Sequence, residues 1–274
     1  MRTSRRKWKR ACAGCAVAVG LLVAGWLGTV EAAPILEDGF DSGTVGVPPA
    51  GWEEQYYSWS GTPYSRAEAA ALGVTIQVTD SVSFAGGNSV HFLDTSTGTG
   101  SGVGSEIIRD LSPTSFLILE YYMRSDNNAY EGAFVCLQGD GGTDYMANFG
   151  NAAGGAGVTG YIGVFSWMGR WIQPTLMPYQ EGRWYYVRRE LDCATNAGSF
   201  YVEDVSDPAN HAAYSVGSNY VNSSINRIRV LTSNSQGADA YIDQLSGVVP
   251  EPTTLVLLGL GLMGLSLAKS RRAA

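Results

Sequence analysis

Glu190 and Asp192 are separated by a single residue in Glu190-Leu191-Asp192-Cys193-Ala194-Thr195. On a strand, residues two apart share a face, so these carboxylates would enter one cleft, where a carboxylate pair can carry out glycoside hydrolysis. The same residues read equally as the polar end of a strand entering a hairpin, because Thr195, Asn196 and Gly198 follow. Glu203 and Asp204 are adjacent, so their side chains leave a strand in opposite directions. His91 and His211 are the only histidines and lie far apart in sequence, which argues against a zinc site, and no Gly-x-Ser-x-Gly elbow marks a serine hydrolase. His91 alternates with Val90 and Phe92 and reads as facing outward from a strand. The segment from Gly150 to Gly160 holds five glycines, but no Lys or Ser/Thr follows at phosphate-loop spacing.

Aromatic residues offer a second kind of chemistry. Trp52, Tyr56, Tyr57, Trp59 and Tyr64 form one group, and Trp167, Trp171 and Tyr179 form another. Exposed, coplanar rings stack on sugars, and a loop from Ser166 to Tyr179 could supply Trp167, Trp171 and Tyr179 for glycan stacking, although sandwich cores consume the same residues. Cys136 and Cys193 are the two thiols left once Cys12 and Cys15 depart with the amino-terminal segment. In an oxidising compartment they could form one disulfide, or Cys136 could be a buried thiol in the apolar run Phe134 to Leu137.

The elements that must position these residues are short runs of β-branched, aromatic and aliphatic residues broken by Gly, Asn, Asp, Ser and Pro, the pattern of antiparallel strands and turns. Strands are expected at 74–79, 89–93, 106–110, 116–124, 133–137, 161–166, 184–192, 199–204, 226–232 and 240–245, with one helical turn at 65–72. In the run from Trp184 to Leu191, Arg188 and Glu190 should face water while Val187 and Leu191 face the core. Ten strands in one domain imply two stacked sheets.

Residues 33–248 carry nine Arg, no Lys and 23 Asp plus Glu, a net charge of −14 against −7 for the whole chain. Such a surface excludes nucleic acid and an anionic leaflet as natural partners, and suits divalent cations. Residues 1–32 read as a signal peptide for the secretion machinery: Arg2, Arg5, Arg6, Lys7, Lys9 and Arg10 precede an apolar stretch from Ala11 to Val30, and Val30 and Ala32 favour cleavage after Ala32. At the other end, the uncharged segment Thr253 to Ala268 is followed by Lys269, Arg271 and Arg272. Its sixteen residues would span roughly 24 Å as a helix, enough for a transient membrane anchor with the cations on the cytoplasmic side. Pro250 and Pro252 bracket Glu251 immediately before it, holding an extended tripeptide.

That tail, residues 249–274, resembles the PEP-CTERM sorting domain of Gram-negative bacteria that make extracellular polysaccharide. The resemblance implies that an exosortase-like enzyme recognises Pro250, Glu251 and Pro252 as its substrate signal, and that the protein passes the inner membrane and reaches the cell surface or extracellular matrix. The domain at 33–248 is similar to the concanavalin-like, laminin-G-like jelly-roll superfamily through the order Gly39-Phe40-Asp41, Gly87-Asn88-Ser89-Val90-His91-Phe92, Leu119-Glu120-Tyr121-Tyr122-Met123-Arg124, Gly182-Arg183-Trp184-Tyr185, Phe200-Tyr201-Val202 and Ala240-Tyr241-Ile242-Asp243-Gln244-Leu245. This implies an all-β, two-sheet antiparallel sandwich. It also implies that Asp41 and Asp243, at the ends of neighbouring first and last strands, could share a calcium ion. Superfamily hydrolases use a Glu-x-Asp-x-Glu spacing, whose third carboxylate is missing after Asp192. The expected function is a non-catalytic surface protein that binds carbohydrate, the alternatives being a glycan hydrolase and a structural or adhesive spacer.

Overall fold

The structure is a computed structural model and describes residues 33–58, 60–95, 103–127, 132–150, 160–166, 170–218, 221, 223–232 and 237–249. Its compact unit spans Pro34–Pro250. In chain order the elements are β1 (Ala33–Asp38), β2 (Glu53–Ser58), β3 (Pro63–Tyr64), α1 (Arg66–Ala71), β4 (Val74–Thr79), β5 (Ser89–Asp94), β6 (Val103–Thr114) and β7 (Phe116–Ser125). There follow β8 (Ala133–Gly139), β9 (Gly142–Thr143), β10 (Tyr145–Phe149), β11 (Tyr161–Ser166), β12 (Arg170–Pro178), β13 (Trp184–Asp192), β14 (Ala197–Asp204), β15 (Asp207–Ser215), β16 (Ile225–Thr232) and β17 (Asp239–Val249).

One sheet runs β15-β14-β13-β7-β17-β5-β4, with β1 also paired to β17; the other runs β3-β2-β6-β16-β8-β9, and β10-β11-β12 form a third, smaller sheet. The chain is therefore an all-β antiparallel jelly-roll sandwich. The short helix has the local chemistry that starts one: the Ser65 hydroxyl accepts from Glu68 N–H while the Glu68 carboxylate accepts from Ser65 N–H. Among the described residues no helix is long and apolar enough to cross a membrane. The expected signal helix and carboxy-terminal span lie outside the described residues.

Alternation of side chains decides the layers. In β7, Leu117, Leu119, Tyr121 and Met123 are buried while Ile118, Glu120, Tyr122 and Arg124 are not, and in β13 Tyr185, Val187 and Leu191 are buried between half-exposed neighbours. Each large apolar side chain withdrawn from water in this way stabilises the fold by about 1.5–3 kcal/mol. A second apolar cluster, Phe134, Cys136, Met146 and Leu231 with Phe165 packed against it, fills the outer face of the six-stranded sheet where the small sheet covers it.

The inward face of β13 also carries Arg189, only 2% exposed. Its Nε donates to Asp144 Oδ2 at 2.8 Å, Nη1 donates to the carbonyls of Glu190 and Val216 at 3.0 Å, and Nη2 donates to Gly217 O at 2.9 Å and lies 2.8 Å from Asp144 Oδ2. The guanidinium also sits 4.6 Å from the centre of the Phe200 ring. Desolvating an ion pair is costly, and this one offsets the cost by filling every donor of the fork.

Replacing Arg189 with Met should lower the unfolding free energy by about 3–5 kcal/mol, because Asp144 would stay buried without its counter-charge. Urea denaturation checks this, and a change inside 1 kcal/mol would show that the pair contributes little.

Candidate functional site

The outward face of the larger sheet collects a row of rings. In the antiparallel register Tyr122 on β7 lies opposite Tyr186 on β13, and Glu120 lies opposite Arg188, which in turn lies opposite Tyr201 on β14. Ring centres are 5.5 Å apart for Tyr122 and Tyr186, 6.2 Å for Tyr186 and Tyr201, and 5.8 Å for Tyr201 and His211 on β15. From the connection between β4 and β5, Phe84 stacks on Tyr122 at 3.7 Å and 13°, and meets Trp184 edge-on at 6.2 Å. Five rings thus cross four strands.

Two of the tyrosines are tied down. Tyr186 Oη donates to Glu120 Oε1 and Tyr201 Oη donates to Glu203 Oε2, both at 2.5 Å. Each carboxylate stands on the same sheet face as the ring it holds, and the rings are inclined to one another, by 49° for Tyr122 and Tyr186 and by 62° for Tyr186 and Tyr201. The burial of Tyr186, then its bond to Glu120, hold its hydroxyl well above the usual phenol range, and the Glu203 bond does the same for Tyr201. Arg188 sits between Glu120, at 3.8 Å, and Glu190.

The loop that carries Phe84 is fastened from beneath. Phe84 N–H donates to Asp243 Oδ2 at 2.8 Å and Gln244 N–H to Asp243 Oδ1 at 2.7 Å. Asp41 Oδ1 accepts from Asn88 N–H at 2.8 Å, and the Asn88 amide faces the carbonyls of Phe40, Asp41 and Gly43 at 3.2–3.4 Å. A Cβ at position 87 would fall 1.7 Å from Asp41 Oδ1, so a larger residue there would displace the Asp41 carboxylate. Asp243 is 1% exposed, and burial, reinforced by the charge of Asp41, raises its carboxyl above the usual aspartate range. Asp41 and Asp243, remote in sequence, are thus brought to one loop. The carboxylate oxygens already accept backbone N–H groups and the carbonyls face the Asn88 amide, and no group of three or more His, Cys, Asp or Glu converges among the described residues.

Other sequence expectations separate. Tyr179 is 6% exposed and packs edge-on against Phe149 at 4.7 Å inside the core, so it is not a sugar platform. Trp171 lies on β12 with its backbone opposite Phe165, while Trp167 and the sorting residues Pro250, Glu251 and Pro252 fall outside the described residues. Asp192 resolves as the turn former: its Oδ1 accepts from Ala194 N–H at 2.9 Å and its Oδ2 from Thr195 Oγ1 at 2.7 Å, which lowers its carboxyl below the usual range. Glu190 is paired with Arg188. His91 faces outward as expected but is engaged, 2.9 Å from Asp239 and stacked on Tyr241 at 4.3 Å. The disulfide is not formed: Cys136 lies in the outer cluster of the smaller sheet and Cys193 beyond the end of β13, both as buried free thiols.

A second opening of about 450 Å³ lies against the smaller sheet between Gln55, Tyr57, Tyr64, Glu106 and Arg229. Glu106 is 3% exposed and its carboxyl is raised by burial, with Arg229 Nε donating to it at 2.7 Å. The tyrosine row was the part sequence reasoning missed; its one signal is that Tyr122, Tyr186 and Tyr201 each occupy the outward phase of an alternating strand.

Residues 248–272 match the PEP-CTERM protein-sorting motif, which marks the chain as exported and sorted. No curated protein matches the sequence. Among solved structures, the chain is similar to a sialidase at TM-score 0.55 and 11% identity over 81% of this chain, and it spans only 19% of that protein's length. It is more loosely similar to lectin UEA-II complexed with galactose, at TM-score 0.49 and 9% identity over 79% of this chain and 99% of that one. Looser again is the catalytic domain of the glycoside hydrolase family 131 protein from Coprinopsis cinerea, at TM-score 0.43 and 10% identity over 80% of this chain and 95% of that one.

Burial pushes the Cys136 thiol up to about 12 and the Cys193 thiol up to about 11. Neither should react with iodoacetamide at pH 8 in the folded protein, and both should react in urea. Mass spectrometry after labelling checks this; a mass gain of two hydrogens on reduction would reveal a disulfide instead.

Proposed function

We propose that this exported protein is processed by an exosortase-like enzyme at the inner membrane of a Gram-negative bacterium and then serves at the cell surface or in the extracellular matrix, where its sandwich binds carbohydrate. The observation that carries the binding reading is the row of half-exposed tyrosines, Tyr122, Tyr186 and Tyr201, on the outward face of the larger sheet. Sugar rings offer apolar C–H faces to such π surfaces, and the flanking carboxylates and Arg188 can hydrogen-bond hydroxyls at the ring edges. The three tyrosines stand on three neighbouring strands, β7, β13 and β14, so their spacing is set by the register of the sheet.

A non-catalytic role is supported by the engagement of Glu120, Glu190 and Glu203, each of which already holds a tyrosine or an arginine. Calcium would be held by Asp41 and Asp243, where it would neutralise two carboxylates and secure the loop carrying Phe84 at one end of the row. The raised Asp243 carboxyl supports this part, since a buried carboxylate beside another needs either a proton or a cation.

Tyr186→Ala and Tyr201→Ala should each weaken binding to a polysaccharide found by glycan-array screening by roughly 2- to 12-fold, matching the 0.5–1.5 kcal/mol of one aromatic contact. Isothermal titration of the two variants and their combination provides the measurement, and unchanged affinity in the double variant would sink the reading. Repeating the melts with calcium and with a chelator tests the metal: the melting temperature should rise with calcium, and a flat response removes it.

For the tail, changing Pro250, Glu251 and Pro252 to Ala should leave unprocessed protein in the inner membrane, seen as a heavier band on immunoblots of fractionated cells. Normal processing of that variant would refute the assignment.

A further inference from the structure

The domain is rich in acid, yet what decides its ligand is where the positive charge has gone. Residues 33–248 contain no lysine and nine arginines. Every arginine whose side chain is described lies within 4.0 Å of a carboxylate of the same chain. Three of these border the tyrosine row. Arg188 is held between Glu120 and Glu190, Arg124 grips Asp126 with two bonds at 2.6 and 2.9 Å, and Arg183 donates to Asp204 at 2.9 Å. Of the histidines, His91 is 2.9 Å from Asp239, leaving His211 at the far end of the row with only the Pro208 carbonyl as partner.

Recognition of a uronate, sialate or sulfate needs a guanidinium fork or ammonium free to meet it. Here each described arginine beside the row already has a carboxylate partner, and an anionic sugar on the row would also meet Glu120, Glu190 and Glu203. At low ionic strength that repulsion reaches across the whole row, because the screening length is about 30 Å at 0.01 M salt and about 10 Å at 0.1 M. A neutral sugar meets no such barrier, and its hydroxyls can donate to the same carboxylates. We infer that the tyrosine row takes polysaccharides carrying no anionic group and rejects uronate and sulfated polymers; this rests on the carbohydrate-binding reading above.

The test is affinity electrophoresis and titration of the exported chain against neutral β-glucan, xylan and galactan, against chitosan, and against alginate, hyaluronan and polygalacturonate, at 10 mM and 500 mM salt. The expected result is binding to at least one neutral or amine-bearing polymer, with every uronate polymer at least tenfold weaker at low salt and the gap narrowing at high salt. Tight binding of a uronate polymer at low salt would overturn the inference while leaving carbohydrate binding intact. Binding to none of the polymers would remove the carbohydrate reading itself, and the inference with it. The Glu203→Arg variant separates charge from shape: it should gain uronate binding several-fold at low salt, and no gain would count against the charge argument.

Discussion

A guanidinium in the middle of a β-sandwich can persist only if all its donors are answered, and Arg189 is answered on every side. It draws Asp144, beside β9 and β10, and the carbonyls of Val216 and Gly217, beyond β15, onto the inner surface of β13. Because side chains alternate along a strand, the bond that fixes Arg189 inward also fixes Tyr186, Arg188 and Glu190 outward. A slip of one residue in β13 would carry an unanswered cation to the surface and drive those polar side chains into the core. The register of the tyrosine row therefore follows from a polar contact on the opposite side of the same strand.

Legibility in the sequence tracked the strength of that alternation. The strands at Val74–Thr79, Tyr161–Ser166 and Trp184–Asp192 match their expected limits, since turn residues bound each run and, in the first and last, burial alternates with a period near two. The edge strand Asp207–Ser215 escaped notice because an edge strand buries little and this one opens with Asp-Pro, which reads as a turn. Strands β10 and β12 were missed because β10 buries four consecutive residues and β12 contains prolines, so neither shows a clean period of two. Within the candidate site, the meeting of Asp41 with Asp243 was visible through family resemblance, whereas the tyrosine row was not. Its members come from β7 and from the β13–β14 hairpin, far apart in sequence, and only the pairing of β7 with β13 assembles them.

The electrostatics follow a similar logic. With no lysine and few arginines in the domain, each described arginine is matched to a carboxylate, some of them buried, as with Arg229 and Glu106 or Arg183 and Asp204. The exposed pairs, such as Arg227 with Asp110 and Arg188 with Glu190, contribute at most about 1 kcal/mol each, so their importance lies less in stability than in what remains. Once the arginines are used, the outer surface is left with acceptors, and its chemistry becomes that of a face that receives hydrogen bonds from hydroxyls.

The strand β17 is interior to its sheet, flanked by β7 on one side and by β5 and β1 on the other, and its last residue, Val249, adjoins the sorting segment. A pull on the tail would therefore act along the length of a central strand. The ladder to β7, which runs from Ala240 to Val248, would be loaded in shear with many bonds sharing the force, whereas an edge strand can be peeled away one bond at a time. A central strand, paired on both sides, thus leads directly into the segment that matches the sorting motif.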